Sequence, residues 1–391
     1  MKKLLIIGAA NLQHTVNFID TLLIDNSENQ VTLFNTEYTS DLVPEIESFY
    51  VHHAVKVVNT EKLSRSKNGK VRAVLNLMRM ERTLHNECRL NEQYDMCFIL
   101  YCSWQSSIWV SRYHKYFKKV IPVYFGSDVL RNGKLTNRFF SKMNRVAGHI
   151  ILPNLNTLKK FNEKTGNEYE SKSCVIQYPQ KMVATMLGYE PLHDKMRDRE
   201  FFGFPLDKII VLCGHTATTA EQYEEMIHSL SKCRDDILDR CHFVFMMTYA
   251  PGDYQDYQET ISNLLAQSKL KGTVLKTRIK YEDMPKLHYA CDVHITTIKT
   301  DAFSCFLQEE MLAGNILIYG KWLNYHEIEN DRFFAFPVNA ITDLSDTVNG
   351  VIDHIQDNIE KSKLNVKGIM ELASEEAIRN EWNRIVFQKQ M

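Results

Sequence analysis

Asp301 and Glu309 are separated by seven residues in the run Asp301-Ala-Phe-Ser-Cys-Phe-Leu-Gln-Glu309-Glu310-Met311-Leu-Ala-Gly314-Asn-Ile-Leu-Ile-Tyr319. The pattern reads as a loop, then a short helix stopped at Gly314, then an apolar strand. A carboxylate at such a helix start can accept two hydroxyl donors at once, and the helix N-terminus tolerates its charge. The two acids read equally well as a helix cap and a surface residue. A second loop, Cys213-Gly214-His215-Thr216-Ala217-Thr218-Thr219, lies between an apolar run and a helix. Gly214 permits close backbone approach, and the hydroxyls with a helix N-terminus favour an anion such as a diphosphate. His215 can hydrogen-bond a phosphate whether neutral or protonated. An ordinary loop capped by Thr218 or Thr219 is the alternative.

The first half offers further candidates. Gly8-Ala9-Ala10-Asn11-Leu12-Gln13-His14 follows the first apolar run but lacks the full GxGxxG of a dinucleotide site, which speaks against a nicotinamide cofactor. Asn11 and His14 are its polar members, and His14 also suits a helix cap. Tyr124-Phe125-Gly126-Ser127-Asp128 brings Asp128 to a strand end, either as a reactive acid or as the anchor of an N-cap or Asx turn. Ser103-Trp104-Gln105 ends another strand.

Such residues work together only if the strand ends lie side by side, as in a doubly wound sheet, where ligands bind at the carboxyl ends. Apolar runs at 4–7, 31–34, 97–101, 120–125, 148–152 and 175–178 alternate with helical stretches at 15–23, 71–90 and 139–146. From Met186 to Pro205 the pattern dissolves into polar sequence, which marks a boundary. A second series then places strands at 208–213, 242–247, 274–277, 293–296, 316–319 and 334–336, with helices between them and beyond Ala340. The expectation is an α/β chain with two parallel sheets, each covered on both faces. Its domains would be 1–185, joined by a C-terminal segment 371–391 whose helix runs from Glu371 to Phe387, and 186–370.

The Asp301 block resembles the donor site of GT-B glycosyltransferases, where the pattern usually reads Glu-x7-Glu-Ala-Met-Ala-x-Gly-x-Pro-Val. Lys280 to Val293 is similar to the segment that precedes it there, x-x-Glu-Leu-x-x-Leu-Tyr-x-x-Ala-Asp-Val, and the spacing from Asp292 to Asp301 fits. Tyr124 to Asp128 resembles a His-Gly-Ser-Asp segment of the same group. The likeness covers mainly 208–330, with a looser match over 1–180.

The resemblance implies two facing Rossmann-like domains, with a C-terminal helix crossing back to the first. It implies transfer of a sugar from a nucleotide diphosphate sugar to a surface-polysaccharide or lipid-linked glycan acceptor, leaning toward retention of configuration. Glu309 would hold ribose hydroxyls. Gly214, His215, Thr216, Ser304 and the backbone N–H groups of 303–306 would hold the diphosphate. Asp301 would lie near the donor sugar, with Asp128 and His14 as the other catalytic candidates. Gly8, Asn11 and Ser103 would line the acceptor cleft. No Asp-x-Asp triplet follows a strand, so no metal or other cofactor is required, and polar groups and backbone N–H groups would meet the leaving-group charge. The chain departs from the group with Asp at 301, and with His215 and Ala220 near positions that often carry Arg and Lys. Those losses keep two rivals in view: a sugar-nucleotide epimerase and a non-catalytic nucleotide-sugar-binding protein.

Composition sets the outer bounds. A chain of 391 residues exceeds one ordinary core, and a net charge of −1 gives no case for nucleic acid as a partner. Nine cysteines without a CxxC pair read as free thiols in a reducing cytoplasm. Met-Lys-Lys-Leu-Leu-Ile-Ile-Gly reads as a first strand, not a signal peptide, and no segment approaches the roughly 18 apolar residues of a spanning helix. Two basic stretches suit peripheral contact with an anionic inner membrane face. One runs from Lys62 to Arg89 and includes Arg65, Lys67, Lys70, Arg72, Arg79 and Arg82; the other runs from Arg112 to Lys119. A solvated helix face is the alternative.

Overall fold

Leu4, Leu5, Ile6 and Ile7 are all at most 1% exposed, as a strand covered by helices on both faces requires. They lie in β1 (Lys2–Gly8), at the centre of a parallel sheet. Its other strands are β2 (Asn29–Asn35), β3 (Lys56–Val58), β4 (Tyr94–Leu100), β5 (Phe117–Val123), β6 (Ile150–Leu152) and β7 (Ser173–Val175). The order is β3-β2-β1-β4-β5-β6-β7. This computed structural model describes residues 2–24, 29–39, 41–61, 64, 69–91, 93–130, 133–250, 253–329 and 332–387.

The second sheet contains β8 (Ile209–Cys213), β9 (Cys241–Met246), β10 (Gly272–Leu275), β11 (Val293–Thr296), β12 (Ile316–Gly320) and β13 (Phe336–Val338). All its pairs are parallel, in the order β10-β9-β8-β11-β12-β13. Renumbered from its own first strand this is 3-2-1-4-5-6, the doubly wound Rossmann order. The chain divides into two compact units, Met1–Gln180 with Ile378–Met391, and Lys181–Ala377.

The C-terminal segment returns to the first unit through Trp382, which is fully buried. Its indole N–H donates to the Gln177 carbonyl at 3.0 Å, and its ring meets Phe18 edge-on at 5.3 Å. The expected single helix from Glu371 is in fact two, Asn365–Ala373 and Glu375–Trp382. Ser374 separates them in an extended conformation, and its Oγ accepts from Ala377 N at 3.2 Å, as a capping serine does.

The stretch 186–205 also differs from its irregular reading. It holds the end of helix Lys181–Tyr189 and all of helix Lys195–Phe202. Asp194 caps the latter by accepting from Met196 N and Arg197 N, and Gly203 closes it in the left-handed region. The polar composition hid a helix whose main anchor is ionic. Arg199 Nη2 lies 2.5 Å from Asp292 Oδ2, and Lys195 Nζ lies 2.6 Å from Asp292 Oδ1. Asp292 Oδ2 also accepts from Ile210 N, which ties the helix to β8. All nine cysteines are free thiols. Among the described residues no helix is long and apolar enough to cross a membrane.

Candidate functional site

Each sheet reverses its winding once, between β1 and β4 in the first unit and between β8 and β11 in the second. A crevice forms beyond the strand ends at such a reversal. Gly8 ends β1, Asn11 and His14 follow it, and Ser103 follows β4; Gly214, His215, Thr216, Asp301 and Ser304 follow β8 and β11. Within each unit the topology thus brings its candidates to one sheet end.

In the second unit, Gly214 continues the pairing through Gly214 N to the Ile295 carbonyl at 2.9 Å. Its φ of +61° turns the chain sharply, and His215 and Thr216 face inward onto Glu221. Glu221 is fully buried. Its Oε1 accepts from Thr216 N at 3.1 Å and from Thr216 Oγ1 at 2.8 Å, and lies 3.1 Å from His215 Nδ1. Its Oε2 is buried without a hydrogen-bond partner among the described residues. The loop that the sequence offers to a diphosphate therefore already holds an internal carboxylate.

The Asp301 loop is built differently. Phe303 has a φ of +55°, which is costly for a bulky residue, and its ring is buried against Tyr325 and Phe333. Asp301 Oδ2 accepts from Ser304 N at 2.8 Å and from Tyr325 Oη at 2.7 Å, so this acid braces the turn into helix Cys305–Leu312. The first N–H groups of that helix have no acceptor one turn back.

Glu309 sits lower than a surface acid. Its side chain is 8% exposed, and its Oε2 lies 3.2 Å from Nε2 of the fully buried His288. The other face of His288, Nδ1, lies 2.5 Å from Glu310 Oε1. Asn315 Nδ2 donates to Glu310 Oε2 at 2.6 Å and to the His288 carbonyl at 2.8 Å. Burial alone would strip the His288 proton. The carboxylates of Glu310 and Glu309 outweigh it and push the imidazole up to about 9. Glu309 Oε1 makes no hydrogen bond among the described residues, and Oε2 meets the imidazole as an ion pair without hydrogen-bond geometry. Nearby His294 is pushed down to about 4 by burial and stays neutral.

Two cations at this sheet end were not singled out in the sequence. Arg278 follows β10 and interacts electrostatically with Tyr249, which also feels Glu221 and Cys305. Lys299 follows β11, and its backbone N donates to the Ala220 carbonyl at 2.8 Å. Both side chains are exposed, and neither forms an ion pair among the described residues. The available signal was their position just past strand ends, which becomes informative only with the sheet order. Among the described residues no group of three or more His, Cys, Asp or Glu is placed to hold a metal.

In the first unit a cavity of about 450 Å³ opens beyond β1 and β4, with His14 and Ser103 in its wall. Ser103 caps helix Trp104–Tyr113 reciprocally with Ser106. Gly8 accepts from Thr36 N through its carbonyl. Asn11 clamps a neighbouring loop, with Oδ1 accepting from Val43 N and Nδ2 donating to the Asp41 carbonyl. Asp128 lies beneath the cavity loops and not in the cavity wall. Its Oδ1 accepts from Phe125 N and Gly126 N, and its Oδ2 from Cys102 N. Burial nevertheless pushes its carboxyl up to about 7 against those three bonds.

The basic stretches divide. Lys62, Arg65 and Lys67 lie outside the described residues. Helix Gly69–Leu90 exposes Val71, Val74, Leu75 and Met78 at helical spacing beside exposed Arg72, Arg79 and Arg82. In the second stretch Arg112 pairs with Glu81, Lys118 pairs with Asp95 at 2.8 Å, and Lys119 donates to the Val386 carbonyl at 3.0 Å.

Two Rossmann-like units, with the chain's end returned to the first, define the GT-B fold. Solved structures of that fold match the whole chain. The complex of Anabaena HepE with UDP and glucose is similar at a TM-score of 0.71 and 15% identity, over 100% of both chains. The Thermosynechococcus elongatus sucrose-phosphate synthase is similar at 0.72 and 12% identity, and a Rickettsia africae glycosyltransferase at 0.73 and 13%, each over 99% of both chains. No family model matches the sequence, and no curated protein matches it significantly.

Proposed function

We propose that this chain is a glycosyltransferase whose donor is a nucleotide diphosphate sugar. The observation that carries the reading is Glu309, in the helix that follows β11, with one oxygen ion-paired 3.2 Å from His288 and the other without a partner among the described residues. A carboxylate so fixed can receive a vicinal diol such as that of ribose. Anabaena HepE, similar in fold, has been solved with UDP and with UDP-glucose, which favours a uridine diphosphate sugar.

The diphosphate would meet the first N–H groups of helix Cys305–Leu312, the Ser304 hydroxyl and the exposed cations Arg278 and Lys299. His215 and Thr216 would frame it, their carboxylate partner being Glu221. Asp301 would hold the turn against the donor sugar. His14, in the wall of the first unit's cavity, is the remaining candidate for the acceptor's proton. The acid-x7-Glu spacing favours retention. The exposed apolar and basic face of helix Gly69–Leu90 supports a peripheral contact with an anionic membrane, and so a surface-polysaccharide or lipid-linked acceptor. Glu221 within the Gly214 loop favours the second reading, a nucleotide-sugar-binding protein without turnover.

Calorimetric titration against UDP, GDP, TDP and CMP is expected to show one nucleoside diphosphate binding. Glu309→Ala should weaken it by about 10- to 100-fold, since charge-assisted hydrogen bonds contribute about 1.5–3 kcal/mol. Arg278→Ala should cost about tenfold and flatten the salt dependence. Binding of none of the four would sink the donor site. Binding without nucleotide release in the presence of any acceptor would decide for the second reading.

A further inference from the structure

The first unit's cavity has a chemistry of its own. Its volume of about 450 Å³ falls within the ~300–1,000 Å³ of small-molecule sites. Among the described residues no Asp, Glu, Lys or Arg lines it. Glu37 and Asp128, next to wall residues in the chain, are turned to backbone N–H groups: Glu37 accepts from Asn11 N at 2.8 Å, and Asp128 from Cys102 N at 3.0 Å. Among the described residues His14 is the one imidazole in the wall, set edge-on to Phe125 at 5.7 Å.

The polar groups of the wall fall into two sets. Ser103, Ser106, Thr15 and Ser127 are engaged with protein, through the Ser103–Ser106 cap, Thr15 Oγ1 to the Ala9 carbonyl, and Ser127 Oγ with Tyr101 Oη at 3.1 Å. Trp109, Gln105 and Thr36 are not. Trp109 is 2% exposed, with its ring edge-on to Phe34, yet its indole N–H has no acceptor among the described residues. The Gln105 amide and the Thr36 hydroxyl, both half-buried in the wall, likewise lack side-chain partners. The polar atoms of these three side chains are open to the cavity and not sealed from it, so the wall offers them to a ligand that carries hydroxyl groups.

The rim is aromatic. Tyr38 and Tyr101 are each 55% exposed. Tyr101 is held at a φ of +57°, its N–H on the Val123 carbonyl at 3.2 Å, which is a strained way to place a ring at a cavity mouth.

We infer that this cavity binds the acceptor, and that the acceptor presents an uncharged sugar ring there. The inference rests on the glycosyltransferase reading for the word acceptor. A sugar phosphate would bring a dianion into a wall with no Lys or Arg to pair it. A plain hydrocarbon chain would leave Trp109 N–H, Gln105 and Thr36 desolvated and unpaired. A neutral pyranose answers both, with C–H faces against Tyr38 and Tyr101 and hydroxyls on the three unpartnered groups. In the transfer, a hydroxyl oxygen of this ring bonds to the donor's anomeric carbon as that carbon's bond to the diphosphate oxygen breaks. The hydroxyl proton passes to His14 in the cavity wall, and the nucleoside diphosphate leaves with the electron pair of the broken bond.

Saturation-transfer NMR and titration of the full chain with the methyl glycosides of glucose, galactose, mannose and N-acetylglucosamine, beside glucose 6-phosphate and UDP, test this. At least one methyl glycoside should bind, and glucose 6-phosphate should not bind at tenfold higher concentration. Trp109→Phe, which keeps the ring and removes the donor, should weaken the glycoside about five- to tenfold. Tyr38→Ala should weaken it similarly, and its exposed ring makes folding insensitive to the change, so it decides should Trp109→Phe fail to fold. Equal or tighter binding of glucose 6-phosphate overturns the inference, as do glycoside affinities unchanged in both variants. UDP binding with no glycoside binding overturns it and spares the donor reading. Glycoside binding with no nucleotide binding overturns the donor reading and the acceptor role together.

Discussion

His288→Leu is expected to destabilise the second unit by about 3–5 kcal/mol, read by urea unfolding near pH 7. The imidazole lies between two acids, 2.5 Å from Glu310 and 3.2 Å from Glu309, and is itself fully buried. Removing it leaves two carboxylates 1% and 8% exposed with no cation between them. Neutral His294 cannot take over, because burial holds it uncharged to about 4. The loss should depend on pH with a definite sign. The folded His288 is raised from 6.5 to about 9, so its contribution is fully present below about 6.5 and is lost as pH rises through 9. The gap between wild type and His288→Leu should therefore narrow across that window. Adding Glu310→Gln to His288→Leu should recover part of the loss, because it removes one of the stranded charges. A gap that stays constant from pH 6.5 to 9 would mean that the buried imidazole carries no charge.

The sheets were legible from the sequence because their strands are continuous apolar runs, such as 4–7 and 316–319, buried on both sides. Loops after β1, β4, β8 and β11 could be marked as interesting, since strand ends are where doubly wound sheets bind. What the sequence withheld was pairing across distance. Nothing local tells that Glu221, seven residues past Gly214, folds back to take the amide of Thr216, or that Glu310 and Glu309 share a histidine 22 and 21 residues earlier. Arg278 is an ordinary loop cation until the order β10-β9-β8-β11 brings its strand end to the Gly214 side. Asp128 shows the opposite case. Its two readings, reactive acid and loop anchor, were both visible, and three backbone N–H bonds favour the anchor. Polar helices such as Lys195–Phe202 escape a search for apolar periodicity because charges on Asp292 hold them.

Gly214→Ala is expected to cost about 2–6 kcal/mol and to abolish nucleotide binding together. Two separate penalties add at this position. The backbone is left-handed, with φ at +61°, where a side chain costs about 1–3 kcal/mol. The new Cβ would also stand 2.4 Å from Tyr223 Oη and 2.6 Å from the edge of its ring. Tyr223 cannot step aside cheaply: it is fully buried, and its hydroxyl donates to the Thr216 carbonyl at 2.9 Å or the Met246 carbonyl at 2.7 Å. Overpacking against such a fixed ring adds a further 1–3 kcal/mol or so. Because one of those acceptors is Thr216 itself, any movement of Tyr223 pulls on the loop that frames the proposed diphosphate. Stability and affinity should therefore fall together in Gly214→Ala, measured by thermal unfolding and by UDP titration. Tyr223→Phe separates the two. It retains the ring and the glycine but frees the Thr216 carbonyl, and should lose affinity with a smaller loss of stability, about 1–3 kcal/mol for the unmet carbonyls. A Gly214→Ala protein as stable as wild type that still binds UDP would show that neither the turn nor the close approach of Tyr223 shapes the site.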